Sequence, residues 1–237
     1  MDGRLHLEGQ TRTIDQVTPI ASGGPPATRP RLRGVLHQYA FLASLVTGPL
    51  LAAAAPRGRA FLAAVLYAAS ISALFGVSAL YHRVTWSVRA RRWMGRLDHA
   101  MIYVLIAGSF APVGMLVLSG RLAVILTGLI WGGALAGIGL HVLWLDAPKW
   151  LTASVYVVLG WTGTIAVPEL TAQVGWIATG LFVLGGLLYS VGAAVYALRR
   201  PDPIPTVFGY HEVFHALVVV AAATHYAVVA LYVLPSS

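Results

Sequence analysis

The sequence predicts an all-α fold, a seven-transmembrane helix bundle with its N-terminus cytoplasmic and its C-terminus outside. Three observations carry this. Of 237 residues, 58% are hydrophobic and only 10% charged, against roughly 25% charged in ordinary globular domains, which excludes a water-soluble globule. Seven apolar segments follow one another along the chain, and seven spans of about 20 residues need ~140 residues, well within its length. The basic residues, finally, are shared unequally between alternate loops.

Residues 1–34 are polar, carry Arg4, Arg12, Arg29, Arg31 and Arg33, and include the Gly/Pro-rich stretch from Ser22 to Pro30. They are expected to form a disordered basic cytoplasmic arm. The stretch lacks the short apolar run and small-residue cleavage site of a secretory signal. The membrane domain is expected over 35–237, with spans at Leu36–Ala55, Ala60–His82, Leu97–Leu118, Leu122–Val142, Trp150–Val167, Val174–Leu198 and Phe208–Leu234. In hydrocarbon each backbone polar group must be satisfied within its own segment, so runs of this length are helices. Internal Pro49, Gly108, Pro112, Gly185, Gly186 and Gly192 are tolerated where neighbouring helices pack closely.

The loops set the orientation. With the N-terminus inside, thirteen of the sixteen Lys and Arg fall on the inner side: the arm, Arg83 to Arg96, Lys149, Arg199 and Arg200. Arg57, Arg59 and Arg121 lie opposite. This is the positive-inside pattern, expected for the cell (inner or plasma) membrane. The net charge of +8 is therefore topological; membrane lipids are the expected partners, nucleic acid is not, and no feature assigns an oligomeric state. Trp86, Trp93, Trp144 and Trp150 read as an aromatic belt at the inner boundary.

The chain has no cysteine, so any metal must rest on His, Asp or Glu. Among these, His82 closes the second predicted span, Asp98 and His99 open the third, and His211 and His215 open the seventh. Three distant segments thus bring ionisable groups to one depth, where burial is costly unless they are paired or metal-bound. His211 and His215, four apart on a helix, share one face and can share one ion. With Glu212 between them they spell HExxH, in which a metalloprotease uses the glutamate as general base; His82, His99 or Asp98 would then complete the ligands. Ser78, one turn before His82, is placed to bond the imidazole or a bound water. Plainer roles exist for each alone: Asp98 in a first helical turn suits the helix dipole, and a single histidine at a helix end caps carbonyls. His225 lies ten residues beyond His215, ~15 Å deeper, and is given a structural hydrogen bond. His37 and His141, without companions, read as interfacial, and His6 as a solvated residue of the arm.

The stretches Ser78-Ala-Leu-Tyr-His82, Leu97-Asp-His-Ala-Met-Ile-Tyr103 running on to Ala107–Pro112, and Gly209-Tyr-His-Glu-Val-Phe-His215 followed by Thr224-His225-Tyr226 resemble the bacterial hemolysin III family. That family is related to the progestin and adipoQ receptors and, more distantly, to alkaline ceramidases. The resemblance spans roughly Gly34 to the C-terminus; Arg33-Gly-Val-Leu-His37 matches only loosely. It implies a zinc ion near the cytoplasmic face held by His82, His211 and His215, with Asp98 and Ser78 as the catalytic pair and Glu212 outside the ligand set. Three imidazoles leave zinc an open position, the mark of a catalytic site, so the expectation is a zinc-dependent hydrolase of lipid amides of the ceramide type. The rivals are a receptor or membrane sensor braced by structural zinc, a cytolytic hemolysin, and an intramembrane protease using Glu212.

Overall fold

The structure is a computed structural model that describes residues 30–144 and 148–237, with Lys149 described by its backbone alone. The predicted arm lies outside the described residues up to residue 29, as does Asp146 of the α4–α5 loop.

The chain is all-helical: α1 Val35–Ala54, α2 Arg59–Arg83, α3 Val88–Pro112 continued by a π-turn Val113–Val117, α4 Gly120–Leu143, α5 Lys149–Thr162 continued by a 3₁₀ turn Gly163–Ala166, α6 Val167–Leu198, and α7 Tyr210–Val228 continued by a π-turn Val229–Val233. Six helices among the described residues are long and apolar enough to cross a membrane, rather than seven, because Trp150–Leu198 forms one helical stretch of 49 residues. A straight helix of that length would run ~74 Å, more than twice the hydrocarbon thickness. It is not straight. Gly175 has φ 81° and ψ 173°, a conformation that only glycine adopts cheaply. Thr171 and Thr179, which eight residues of helix would hold ~12 Å apart, meet hydroxyl to hydroxyl at 3.0 Å. Trp161 Nε1 donates to Ser190 Oγ at 2.8 Å, pairing positions about equally far from Gly175. The chain therefore doubles back at Gly175 into an antiparallel hairpin, and Gln173 at its apex donates to the carbonyl of Val117 at the far end of α3.

The predicted third span is corrected at its start. The helix begins at Val88, with the Ser87 side chain accepting from the Ala90 N–H, so Arg89 to Arg96 are helical rather than loop. Their charge hid them from a hydropathy reading, but arginine, methionine and tryptophan are adequate helix formers.

Packing runs in chain order through α1, α2, α3 and α4, and α7 closes onto both α6 and α1. One buried cluster centres on Tyr103, Phe110, Ile130 and Leu170, another on Tyr67, Leu74, Phe75 and Leu105. Large apolar side chains such as Leu50, Val124, Trp176 and Leu231 face outward, a surface that only lipid covers without cost. This is an integral multi-pass membrane protein.

Candidate metal centre

Four helices deliver polar side chains to one end of the bundle. His82 is the penultimate residue of α2, and Ser78 lies one buried turn before it. His211 and His215 occupy the first two turns of α7. The start of α7 is fixed by two carboxylates, as burial of a helix terminus requires: the Gly209 N–H donates to Glu212 Oε2 at 2.9 Å and the Tyr210 N–H to Asp202 Oδ1 at 2.8 Å.

The three predicted ligands converge. His82 Nε2 and His211 Nε2 stand 3.2 Å apart, while tetrahedral ligands at zinc–nitrogen distances of about 2.0–2.1 Å lie roughly 3.3 Å from each other. One ligand atom from each of His82, His211 and His215 lies within 4.8 Å of the others. The widest separation thus exceeds a tetrahedral edge. Three imidazoles and a neighbouring carboxylate are a donor set that suits zinc, so the residues fit the group.

Asp98 Oδ2 lies 3.6 Å from His82 Nε2, beyond hydrogen-bond reach but beside the same centre. The Ser78 side chain interacts with that carboxylate. With α3 beginning at Val88, Asp98 sits in its third turn, so the helix dipole no longer accounts for it. His99 is removed from the ligand candidates: its Nδ1–H donates to the Gly95 carbonyl at 2.8 Å, leaving Nε2 to accept from the Tyr196 hydroxyl at 3.1 Å. His225 donates from Nε2 to the Phe182 carbonyl at 3.0 Å.

Glu212 does not face a reacting group. It is 1% exposed; Oε2 caps Gly209 and Oε1 lies 2.7 Å from Arg33 Nε. Both oxygens are committed, and the HExxH reading loses its base.

Two histidines read as lacking companions have them. His141 stacks on His99 with centroids 5.0 Å apart. His37 is 3% exposed and lies face to face with His215, centroids 3.7 Å apart and planes within 7°. Sequence reasoning missed it because the partner is 178 positions away. The available signal was a polar ring inside an apolar run.

The centre stands between two cavities. One, of about 160 Å³, is mostly apolar and extends along α3 from Asp98 to Phe110, walled also by α5, α6 and α7. The other, of about 430 Å³, is lined by Arg33, Arg91, Asp202 and Tyr210. Asp98, His99, Tyr196 and His211 line both.

Fold and site together define a helical membrane protein with a part-buried three-histidine group at one end of its bundle. The haemolysin-III related family profile matches residues 26–226. The chain is 32% identical to the hemolysin-3 homolog of Bacillus subtilis (strain 168) over 167 residues, covering 70% of this chain and 75% of that protein. It is 30% identical to hemolysin-3 of Bacillus cereus over 180 residues, covering 75% and 78%. It is also 30% identical to the adiponectin receptor protein of Drosophila melanogaster over 179 residues, 64% of this chain and 38% of that one. The chain belongs to the haemolysin-III related family.

Proposed function

We propose that the protein is a zinc-dependent hydrolase of membrane lipid amides of the ceramide type, crossing the cell membrane seven times with its N-terminus in the cytoplasm. The observation that carries this reading is the convergence of three imidazoles and a carboxylate at the inner mouth of an apolar cavity. The hairpin at Gly175 supports the seventh crossing, and the loop arginines support the orientation.

His82, His211 and His215 would hold the ion through their ring nitrogens, three protein ligands being the number that catalytic zinc sites use. Zinc supplies Lewis acidity there, polarising a carbonyl and acidifying water. Asp98 accepts the proton released as water attacks the amide carbon, and returns it to the departing amine as the C–N bond breaks. Ser78 orients that carboxylate, and its hydroxyl, released once Asp98 holds the proton, donates toward the carbonyl oxygen as charge builds on it. The apolar cavity seats the acyl chain and excludes bulk water, while the polar vestibule admits the attacking water and receives the amine.

The test is a measurement of bound zinc in detergent-purified wild type and His211→Ala, with both assayed on a panel of lipid amides. One zinc per wild-type chain, lost with turnover in His211→Ala, is expected. Equal zinc in the two removes the centre. Full occupancy without turnover on any lipid assigns it to bracing α2 and α7.

A further inference from the structure

The residues that lead into α1 lie directly on the centre. The N–H groups of Arg31 and Leu32 donate to the carbonyls of Thr206 and Val207 at 3.0 and 3.1 Å, fixing the chain alongside the loop that precedes α7. Arg33 then pairs with Glu212. Gly34, with φ +78°, presses on the second-span ligand: a Cβ at this position would come within 2.5 Å of His82 Cβ. One turn later the His37 ring covers a face of His215, and Phe75 meets His37 edge-on at 5.0 Å. Two successive contacts, Arg33 to Glu212 and His37 to His215, align the start of α1 with the start of α7.

A coordinating imidazole must keep a lone pair aimed at the ion, and proteins usually fix its plane by a hydrogen bond from the ring's other nitrogen to a carboxylate or carbonyl. No protein group among the described residues gives His215 such a bond, and its Nδ1 is buried without a partner. The other two ligand rings approach His215 at interplanar angles of 61° and 57°, so neither covers its face. Among the described residues the one flat contact is His37, whose ring nitrogens meet no side-chain partner and at most the backbone of His215. What His37 supplies is therefore its face.

We propose that His37 is a positioning residue of the metal centre, fixing the plane of the His215 ring by stacking where other metal sites use a hydrogen bond. The segment from Arg33 to His37 acts as the outer support of that centre. This rests on the metal-site reading above, and its test is built to separate the two.

The experiment compares wild type, His37→Phe and His37→Leu, purified in detergent. Zinc affinity is measured by competition with a chromophoric chelator, the ligand field by cobalt(II) absorption, and folding by thermal unfolding of the metal-free proteins. Phenylalanine keeps a flat face without nitrogens; leucine fills the space without one. His37→Phe is expected within about threefold of wild-type zinc affinity, with cobalt bands unmoved, and His37→Leu about 10–100-fold weaker with shifted bands, the usual range for losing an outer support. Wild-type affinity and spectrum in His37→Leu overturn the proposal. So does a folded His37→Phe whose zinc affinity falls tenfold or more below wild type, a result readable even where His37→Leu does not fold. A wild type that binds neither metal overturns both this proposal and the reading beneath it.

Discussion

Glu212→Gln separates a structural glutamate from a catalytic one. In the folded protein one carboxylate oxygen caps Gly209 at 2.9 Å and the other faces Arg33 Nε at 2.7 Å. Removing one partner of a buried ion pair costs roughly 3–5 kcal/mol because the other charge is stranded. Here the Arg33 side chain is 22% exposed against 1% for Glu212, so water solvates part of the stranded guanidinium, and the glutamine oxygen retains the cap. A cost of about 2 kcal/mol follows, which at roughly 2–4 °C per kcal/mol for a chain of this size lowers the unfolding midpoint by about 4–8 °C. Turnover per folded molecule stays within about threefold, since loss of a general base costs about 10²–10⁴-fold and Glu212 is not one. The assay is tryptophan-fluorescence thermal unfolding beside turnover on the active lipid amide. A double-mutant cycle with Arg33→Met should return most of the 2 kcal/mol as coupling energy. Turnover lost at an unchanged midpoint would refute the reasoning and restore the protease reading of HExxH.

Asp98→Asn should lower turnover about 10²–10⁴-fold while zinc content, measured by mass spectrometry, stays at the wild-type level. Zinc at a hundredfold excess over its dissociation constant should stabilise the wild type by about 2.7 kcal/mol over the chelated protein, and His211→Ala should show no zinc-dependent shift in unfolding midpoint. Gly175→Ala should cost about 1–3 kcal/mol, since its backbone lies where side chains are strained, whereas Gly180→Ala, inside α6 with open space around it, should be neutral or stabilising by up to about 1 kcal/mol in the same unfolding assay. Because the chain has no cysteine, Thr85→Cys and Gln173→Cys can be labelled singly with a membrane-impermeant maleimide in intact cells; only Gln173→Cys should react, and the reverse pattern inverts the orientation.

The helices were legible because hydrocarbon leaves an apolar run little choice but to be helical, and the predicted limits of α1, α2, α4 and α7 fall within a few residues of the observed ones. The misses have physical causes. Hydropathy cannot see where a charged helix starts, so the arginine-rich turns of α3 read as loop although Ser87 supplies an N-cap. The predicted gap between the fifth and sixth spans fell before Val174, while Val167 to Ala172 continue the helix and the reversal waits for Gly175. At the centre, recurrent histidines at helix ends pointed to the cluster, because ionisable groups at one depth need partners. Their spacing did not show that Glu212 points away toward Arg33, or that His37 stacks on His215. Both depend on how α1 docks against α7, which no pattern along either helix records.

On the seven-crossing proposal, the reversal at Gly175 also bears on a matter of parity. A bundle that traverses the bilayer an odd number of times sends its two ends into different compartments, and an even one returns them to the same side. On that proposal the turn at one glycine sets the side on which Ser237 emerges, and with it which cellular milieu any sequence fused after that residue would inhabit.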